Sequence, residues 1–295
     1  MATTPSKIQK HFNVLSFDAG GLWDSVMPRL TKRLTEDKAR LLRNTDLFVG
    51  VAAGGVHALG LAAGASPELM YVLFEACSKK ANPKSLTRGL KKELSTQFGD
   101  MRLGELSKKV AVLTFKLDNK AGDPVLRTWK PKIYHNFIGP DSDSEETVVD
   151  VAMRTLAIPL LSPPYQGHIG GTIVTGNPSI IGLAQALDAR NEDRPLSDVA
   201  LLSIGAGVSN RFIERPDPTG PKLDEGVLLD LMAEASINTP HFACKVILKD
   251  KYFRINPHLG TAFAATDPAK FTQASVIAEK HDLTSALQWI DKYWI

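Results

Sequence analysis

A chain of 295 residues, 43% hydrophobic and 23% charged, has ordinary globular composition and enough length for one large α/β domain or two modest ones. Its net charge of +3 is spread along the sequence and calls for no nucleic-acid partner. The cysteines Cys77 and Cys244 form neither a disulfide framework nor a metal-ligand spacing, so no metal or cofactor is expected. Thiols among apolar neighbours suit a reducing, cytoplasmic setting.

Met1 to Lys10 is polar and lacks the apolar stretch of a signal peptide. Phe12 to Phe17 reads as a buried strand. Ser25 to Leu42 reads as a helix, with Val26, Leu30, Leu34 and Leu41 close to one face. Pro28 falls in its first turn, where a missing N–H is harmless. Leu47 to Val51 is a second strand, followed by a helix of small residues. The stretch Leu47 to Ala65 carries no charge and is long enough to cross a bilayer. Its glycines at 50, 54, 55, 60 and 64, with His57, instead make it a strand, a tight turn and a buried helix, so no transmembrane segment is expected. Ser66 caps the next helix and Pro67 opens it. Lys79 to Asp100 is read as a loop. Its basic cluster, Lys79, Lys80, Lys84, Arg88, Lys91 and Lys92, has no interleaved aromatics and reads as a solvated face first, an anionic-surface contact second.

Val110 to Leu117 is a strand, and Asp118 to Gly122 and Gly139 to Glu146 are loops. Asn177-Pro178 opens a helix running to about Asp188, and Val199 to Ile204 is a further strand. Glu214 to Lys222, rich in proline, is a surface excursion. The last third is mainly helical, with a short strand at Tyr252 to Ile255 and a final helix from Leu283 to Tyr293. No internal repeat is visible. Alternating strands and helices predict an open, mostly parallel sheet with helices on both faces.

Three glycine-rich loops follow strands, at the end of such a sheet where ligands bind. They are Asp18-Ala19-Gly20-Gly21-Leu22-Trp23-Asp24, Gly50-Val51-Ala52-Ala53-Gly54-Gly55, and Gly170-Gly171 with Thr175-Gly176-Asn177-Pro178. In this order they resemble the patatin-like lipid acyl hydrolase family. The first is similar to its oxyanion motif Asp-Gly-Gly-Gly-x-Arg-Gly. The second is similar to its nucleophile elbow Gly-x-Ser-x-Gly, with Gly50 and Gly54 as the elbow glycines. The third is similar to the Asp-Gly-Gly that supplies the dyad aspartate. Ala152 to Pro164 and Ser203 to Gly207 add lesser matches, and the resemblance runs from about residue 12 to the last helix. It implies a three-layer α/β/α fold in one patatin-like domain, 1–295.

In active members the elbow lifts a serine out of the sheet, the glycine loop aims N–H groups at the oxyanion, and the aspartate serves as base. Here the serine position is Ala52 and the aspartate position is Ile169. Trp23 stands at the arginine, Asp24 at the last glycine and Ala19 at a middle one. A methyl cannot attack an ester, isoleucine cannot take a proton, and a carboxylate beside Gly20 and Gly21 opposes an anion. No replacement pair stands out. His168 neighbours Ile169 and is expected at the surface or hydrogen-bonded, His57 is expected to pack within the elbow helix, and Ser16 is expected buried.

The sequence therefore predicts a non-catalytic member of the family with a structural or interaction role, expected to form homo-oligomers. A non-catalytic lipid or acyl-chain binder is the alternative, and a hydrolase with unorthodox groups the weaker one. For the homo-oligomer, the crowded aromatics of the last helix, Trp289, Tyr293 and Trp294, are the candidate interface. The competing expectation is that they cap their own domain.

Overall fold

A computed structural model of the chain describes residues 11–20, 24–79, 83–159, 162–210, 212–213, 225–261 and 270–294. The order β1 (Phe12–Gly20), α1 (Val26–Asp37), β2 (Leu47–Ala52), α2 (Ala53–Ala62), α3 (Pro67–Ser78), α4 (Pro83–Phe98), β3 (Lys109–Lys116), β4 (Lys130–His135) and α5 (Val148–Thr155) fills the first half. Then come β5 (His168–Gly170), α6 (Ser179–Leu187), β6 (Val199–Ile204), β7 (Val208–Asn210), α7 (Glu225–Leu248), β8 (Tyr252–Ile255), β9 (His258–Thr261), α8 (Lys270–Lys280) and α9 (Thr284–Tyr293).

The main sheet runs β4-β3-β2-β1-β6-β8. All its neighbours are parallel except β4, which pairs antiparallel with β3 at the edge. β5 lies antiparallel to β3 beyond the end of β2. Side chains alternate across a strand, and this divides the core in two. Leu15, Phe17, Phe48, Val110, Val112, Ala200 and Leu202 face α1 to α5, α8 and α9. Val14, Val49, Ala111, Val199 and Leu201 face α6 and α7. The expected three-layer α/β/α arrangement with a mostly parallel sheet is present.

Several sequence expectations change in detail. The first helix stops at Asp37, not Leu42: Lys38 leaves the helical region, although Leu41 stays buried. Lys79 to Asp100 is not a loop but contains α4, which buries Leu90, Leu94 and Phe98 at helical spacing; its density of lysines hid that stripe. Lys79 of the basic cluster pairs with Glu75, and Lys91 donates to the Tyr165 hydroxyl (2.8 Å). The edge strand β4 was not foreseen. Its Pro131 is tolerated because one side of an edge strand needs no donor. The excursion at Glu214 to Lys222 lies outside the described residues. No helix among the described residues is long and apolar enough to cross a membrane.

Candidate active site at the strand-to-helix elbow

β2 passes into α2 with no residue between them, and the turn falls on Ala52, at φ 52° and ψ −125°. A side chain with positive φ is strained by roughly 1–3 kcal/mol and persists only where its surroundings hold it. Here they do. The Ala52 N–H donates to Thr155 Oγ1 (2.8 Å), and the Thr155 hydroxyl donates to the Leu113 carbonyl on β3 (2.7 Å). The two elbow glycines are sterically required. A Cβ on Gly50 would sit 2.2 Å from the Gly54 carbonyl oxygen, and one on Gly54 would sit 2.2 Å from that of Asp18. The helix that follows is buried on every side. Ala52 itself is completely buried and presents only a methyl group.

The first loop leaves β1 beside the elbow, where the pairing with β2 shifts register between Phe17 and Gly20. Asp18 forms a two-pronged ion pair with Arg254 on β8, at 3.2 and 2.6 Å, and Arg254 also donates to Ser203 Oγ (2.7 Å). Both partners are almost fully buried. Burial pushes the Asp18 carboxyl up, and the guanidinium opposes that. The Asp24 side chain fills the space against Gly20, where an added Cβ would meet Asp24 Cβ at 2.6 Å. Its Oδ1 accepts from the Val26 N–H (2.9 Å), while Oδ2 is buried without a partner. Burial pushes this carboxyl up to about 7. Gly21 and Trp23 lie outside the described residues.

The third loop reaches the elbow through β3. Ile169 on β5 pairs with Phe115, and Gly171 packs on the Leu113 carbonyl that receives the Thr155 hydroxyl. Gly170 lies against the Thr155 carbonyl, where an added Cβ would be 2.7 Å away. Thr155 thus joins Ala52 to the Ile169-Gly170-Gly171 turn. The sequence reading missed it, although it lies inside the Ala152 to Pro164 match. No Asp or Glu occurs from Val151 to Leu187, so this loop offers no carboxylate.

The other candidates are occupied. His168 is buried rather than at the surface, with Nε2 against the Tyr134 hydroxyl and Nδ1 against the Gln166 carbonyl, both at 2.8 Å. His57 packs edge-on to Phe17 with Nε2 3.2 Å from Thr31 Oγ1, and burial pulls it down to about 3, so it is neutral. Ser16 is buried and accepts from Ser179 (3.0 Å). Both cysteines are buried, and burial pushes the Cys244 thiol up to about 12. Among the described residues no group of His, Cys, Asp or Glu could hold a metal ion.

The aromatic end of the chain corrects the expected interface. Trp289, Tyr293 and Trp294 are buried in their own subunit. The Trp289 indole donates to the Asp250 carbonyl (2.7 Å), the Trp294 indole to the Leu41 carbonyl (3.0 Å), and the Tyr293 hydroxyl to the Asp250 carboxylate. Their apolar faces join the core beside β8 instead of lying open at the surface.

Set beside known proteins, residues 15–171 match the family model described as patatin-like phospholipase. The chain is 29% identical to Protein teg of Priestia megaterium over an alignment that covers 96% of this chain and 99% of that one. It is also 29% identical to the putative sporulation hydrolase CotR of Bacillus subtilis, over 96% and 98% of the two chains. A cGAMP-activated phospholipase of Pseudomonas aeruginosa is 26% identical, over 83% of this chain and 78% of that one.

Proposed function

Because the chain belongs to the patatin-like phospholipase family, we propose that it is a member that has kept the fold and shed the chemistry. The observation that carries this reading is the residue at the elbow. The backbone there has the strained turn that would present a nucleophile, and the side chain is the methyl of Ala52. The loop that would supply the base has no carboxylate, and Asp24 places one where an oxyanion would need donors. Asp18 does not replace the lost base, since Arg254 holds both of its oxygens.

This reading departs from the names of relatives such as CotR, which is called a putative hydrolase, and it is tested directly. The purified chain, given a chromogenic short-chain ester and phospholipid vesicles, should release no product above buffer. Saturable turnover abolished by heating would overturn the proposal.

A protein without chemistry acts through its surface, and self-association is the mode we propose. With the terminal aromatics buried, we place it on an exposed apolar stripe of α7. Leu228, Met232, Phe242 and Val246 fall within one face of that helix and are 49%, 59%, 69% and 56% exposed. Light scattering over a range of concentrations should show a mass that grows from monomer to oligomer, and Phe242→Ser should suppress the growth. A chain that stays monomeric throughout would remove self-association.

A further inference from the structure

The β3–β4 hairpin gathers features that the elbow does not use. β3 is parallel to β2 and continues three residues beyond Leu113, the partner of Val51. Residues 117–129 therefore leave the sheet at the same end as the elbow. Their tip is apolar and open to solvent: Val125 is 88% exposed, Leu126 64% and Trp129 72%. The hairpin is nevertheless held in shape. Asp118 pairs with Arg127, Asn119 Nδ2 donates to the Leu126 carbonyl (3.0 Å), and Asp123 Oδ1 accepts from the Val125 N–H (2.9 Å). A structured loop that keeps three large apolar side chains in water is built for contact with something apolar.

The surroundings say what that is. From residue 116 to 132 the chain has the basic residues Lys116, Lys120, Arg127, Lys130 and Lys132 against the acidic Asp118 and Asp123. That segment alone carries a net charge of +3, equal to that of the whole protein. At its base lies a cavity of about 380 Å³, bordered by the basic Lys116, Lys120 and Arg154 and by the acidic Asp118 and Glu146. Arg154 is nearly buried, pairs with Glu146 (2.8 Å) and donates twice to Gln166 Oε1, which leaves part of its guanidinium for a ligand, and Lys132 is balanced by Asp143. Lys116 has no acidic group within ion-pair distance among the described residues. Burial first, and then the neighbouring Lys132 and Lys130, depress its pKa, while Asp143 opposes them.

We propose that the β3–β4 hairpin seats this protein on an anionic phospholipid surface. Trp129, Leu126 and Val125 enter the acyl boundary, Lys120 and Lys130 meet the headgroup layer, and the pocket at Lys116 and Arg154 receives one lipid phosphate. An apolar wedge with a basic rim supplies the two signals that stable surface anchoring requires, and tryptophan favours the membrane–water boundary. This deepens the non-catalytic reading, on which it rests in one respect: the lipid is held and not cleaved.

The test is flotation with vesicles of phosphatidylcholine alone and of phosphatidylcholine with about 30% phosphatidylglycerol, the charge that such lysines recognise. The protein should float with the anionic vesicles and stay behind with the neutral ones. Lys120→Gln and Lys130→Gln should each weaken binding roughly fivefold, as expected for one lysine near an anionic surface. Brominated lipid should quench tryptophan fluorescence in the wild type, and Trp129→Phe should remove that quenching while the fold, followed by circular dichroism, is unchanged. Equal binding to both vesicles, or lysine variants that bind like wild type, would overturn the proposal. So would self-association without lipid that Trp129→Ser abolishes and Phe242→Ser does not, which would make the hairpin a contact between copies. Lipid recovered from the floated fraction separates the two readings. Hydrolysed lipid sinks the non-catalytic reading and leaves the surface in place; intact lipid without the charge dependence sinks only the surface.

Discussion

Replacing Asp24 by asparagine should change the way stability depends on pH. The wild-type carboxyl is fully buried, and burial raises it to about 7 from an ordinary value of 3.8. A carboxyl raised by folding stabilises the native state while it is protonated, and that contribution is lost as pH rises through the folded value. Below about pH 4 both states hold the proton and nothing changes. Between about pH 4 and 7 the unfolded chain has released it and the native state has not, so stability falls with pH. Above about 7 the loss is complete. Three pH units at 1.36 kcal/mol each set a ceiling of about 4 kcal/mol. The Asp24→Asn side chain would keep the acceptor for the Val26 N–H and place an uncharged amide where Oδ2 now lacks a partner. That buried amide costs about 1–3 kcal/mol if it stays unpaired, so the variant should be no more stable than wild type at pH 5. Between pH 5 and pH 8 the stability difference should move in its favour by up to about 3 kcal/mol. Urea unfolding of both proteins at pH 5, 6, 7 and 8 measures it. A difference that stays flat across this range would refute the burial argument.

Arg254→Met leaves the Asp18 charge buried without its partner and should cost about 3–5 kcal/mol by chemical denaturation; adding Asp18→Asn should recover much of that loss. Ala52→Ser should not acquire reactivity toward a fluorophosphonate probe, because a serine without a base is a poor nucleophile; covalent labelling of that single variant would mean that a neighbouring group serves as base.

The elbow and third glycine loops were legible in the sequence because Gly50, Gly54, Gly170 and Gly171 answer to backbone contacts that leave no alternative residue. Gly50 and Gly54 could be recognised before the strand and helix that they join were seen. Helices on both faces of the sheet were legible because β1, β2, β3 and β6 are nearly continuous apolar runs, as strands covered on both sides are. What failed was pattern without a matching local constraint. In α4 the buried leucines are spaced among lysines, and the charge outweighed the stripe. β4 is an edge strand with lysines and a proline, and β5 has three residues, too few for any period to show. The aromatics of α9 were open to two readings because a helix that closes a core and one that awaits a partner have the same composition. Only the indole bonds to Leu41 and Asp250 decide between them. The Asp18–Arg254 pair spans 236 positions, and the meeting of Thr155 with Ala52 spans 103. Neither separation carries a local signal.

That same division bears on how a hydrolase fold can lose its chemistry. The residues around the elbow fall into two kinds. Gly50, Gly54, Gly170 and Gly171 are fixed by backbone atoms that approach too closely for a Cβ; replacing them would displace α2 from β2 or β1, or the third loop from α5 or β3. Positions 52 and 169 contribute side chains where the resemblance calls for a serine and an aspartate, and no neighbouring backbone depends on those groups. Ala52 still makes the turn, since its N–H and not its side chain binds Thr155. Ile169 still pairs with β3 through its backbone. The strain at Ala52, roughly 1–3 kcal/mol, is therefore retained as the junction through which α2 docks on the sheet, whether or not a nucleophile sits there. A preserved elbow is evidence for the fold and carries no weight as evidence for turnover, which depends on the side chains that the turn presents.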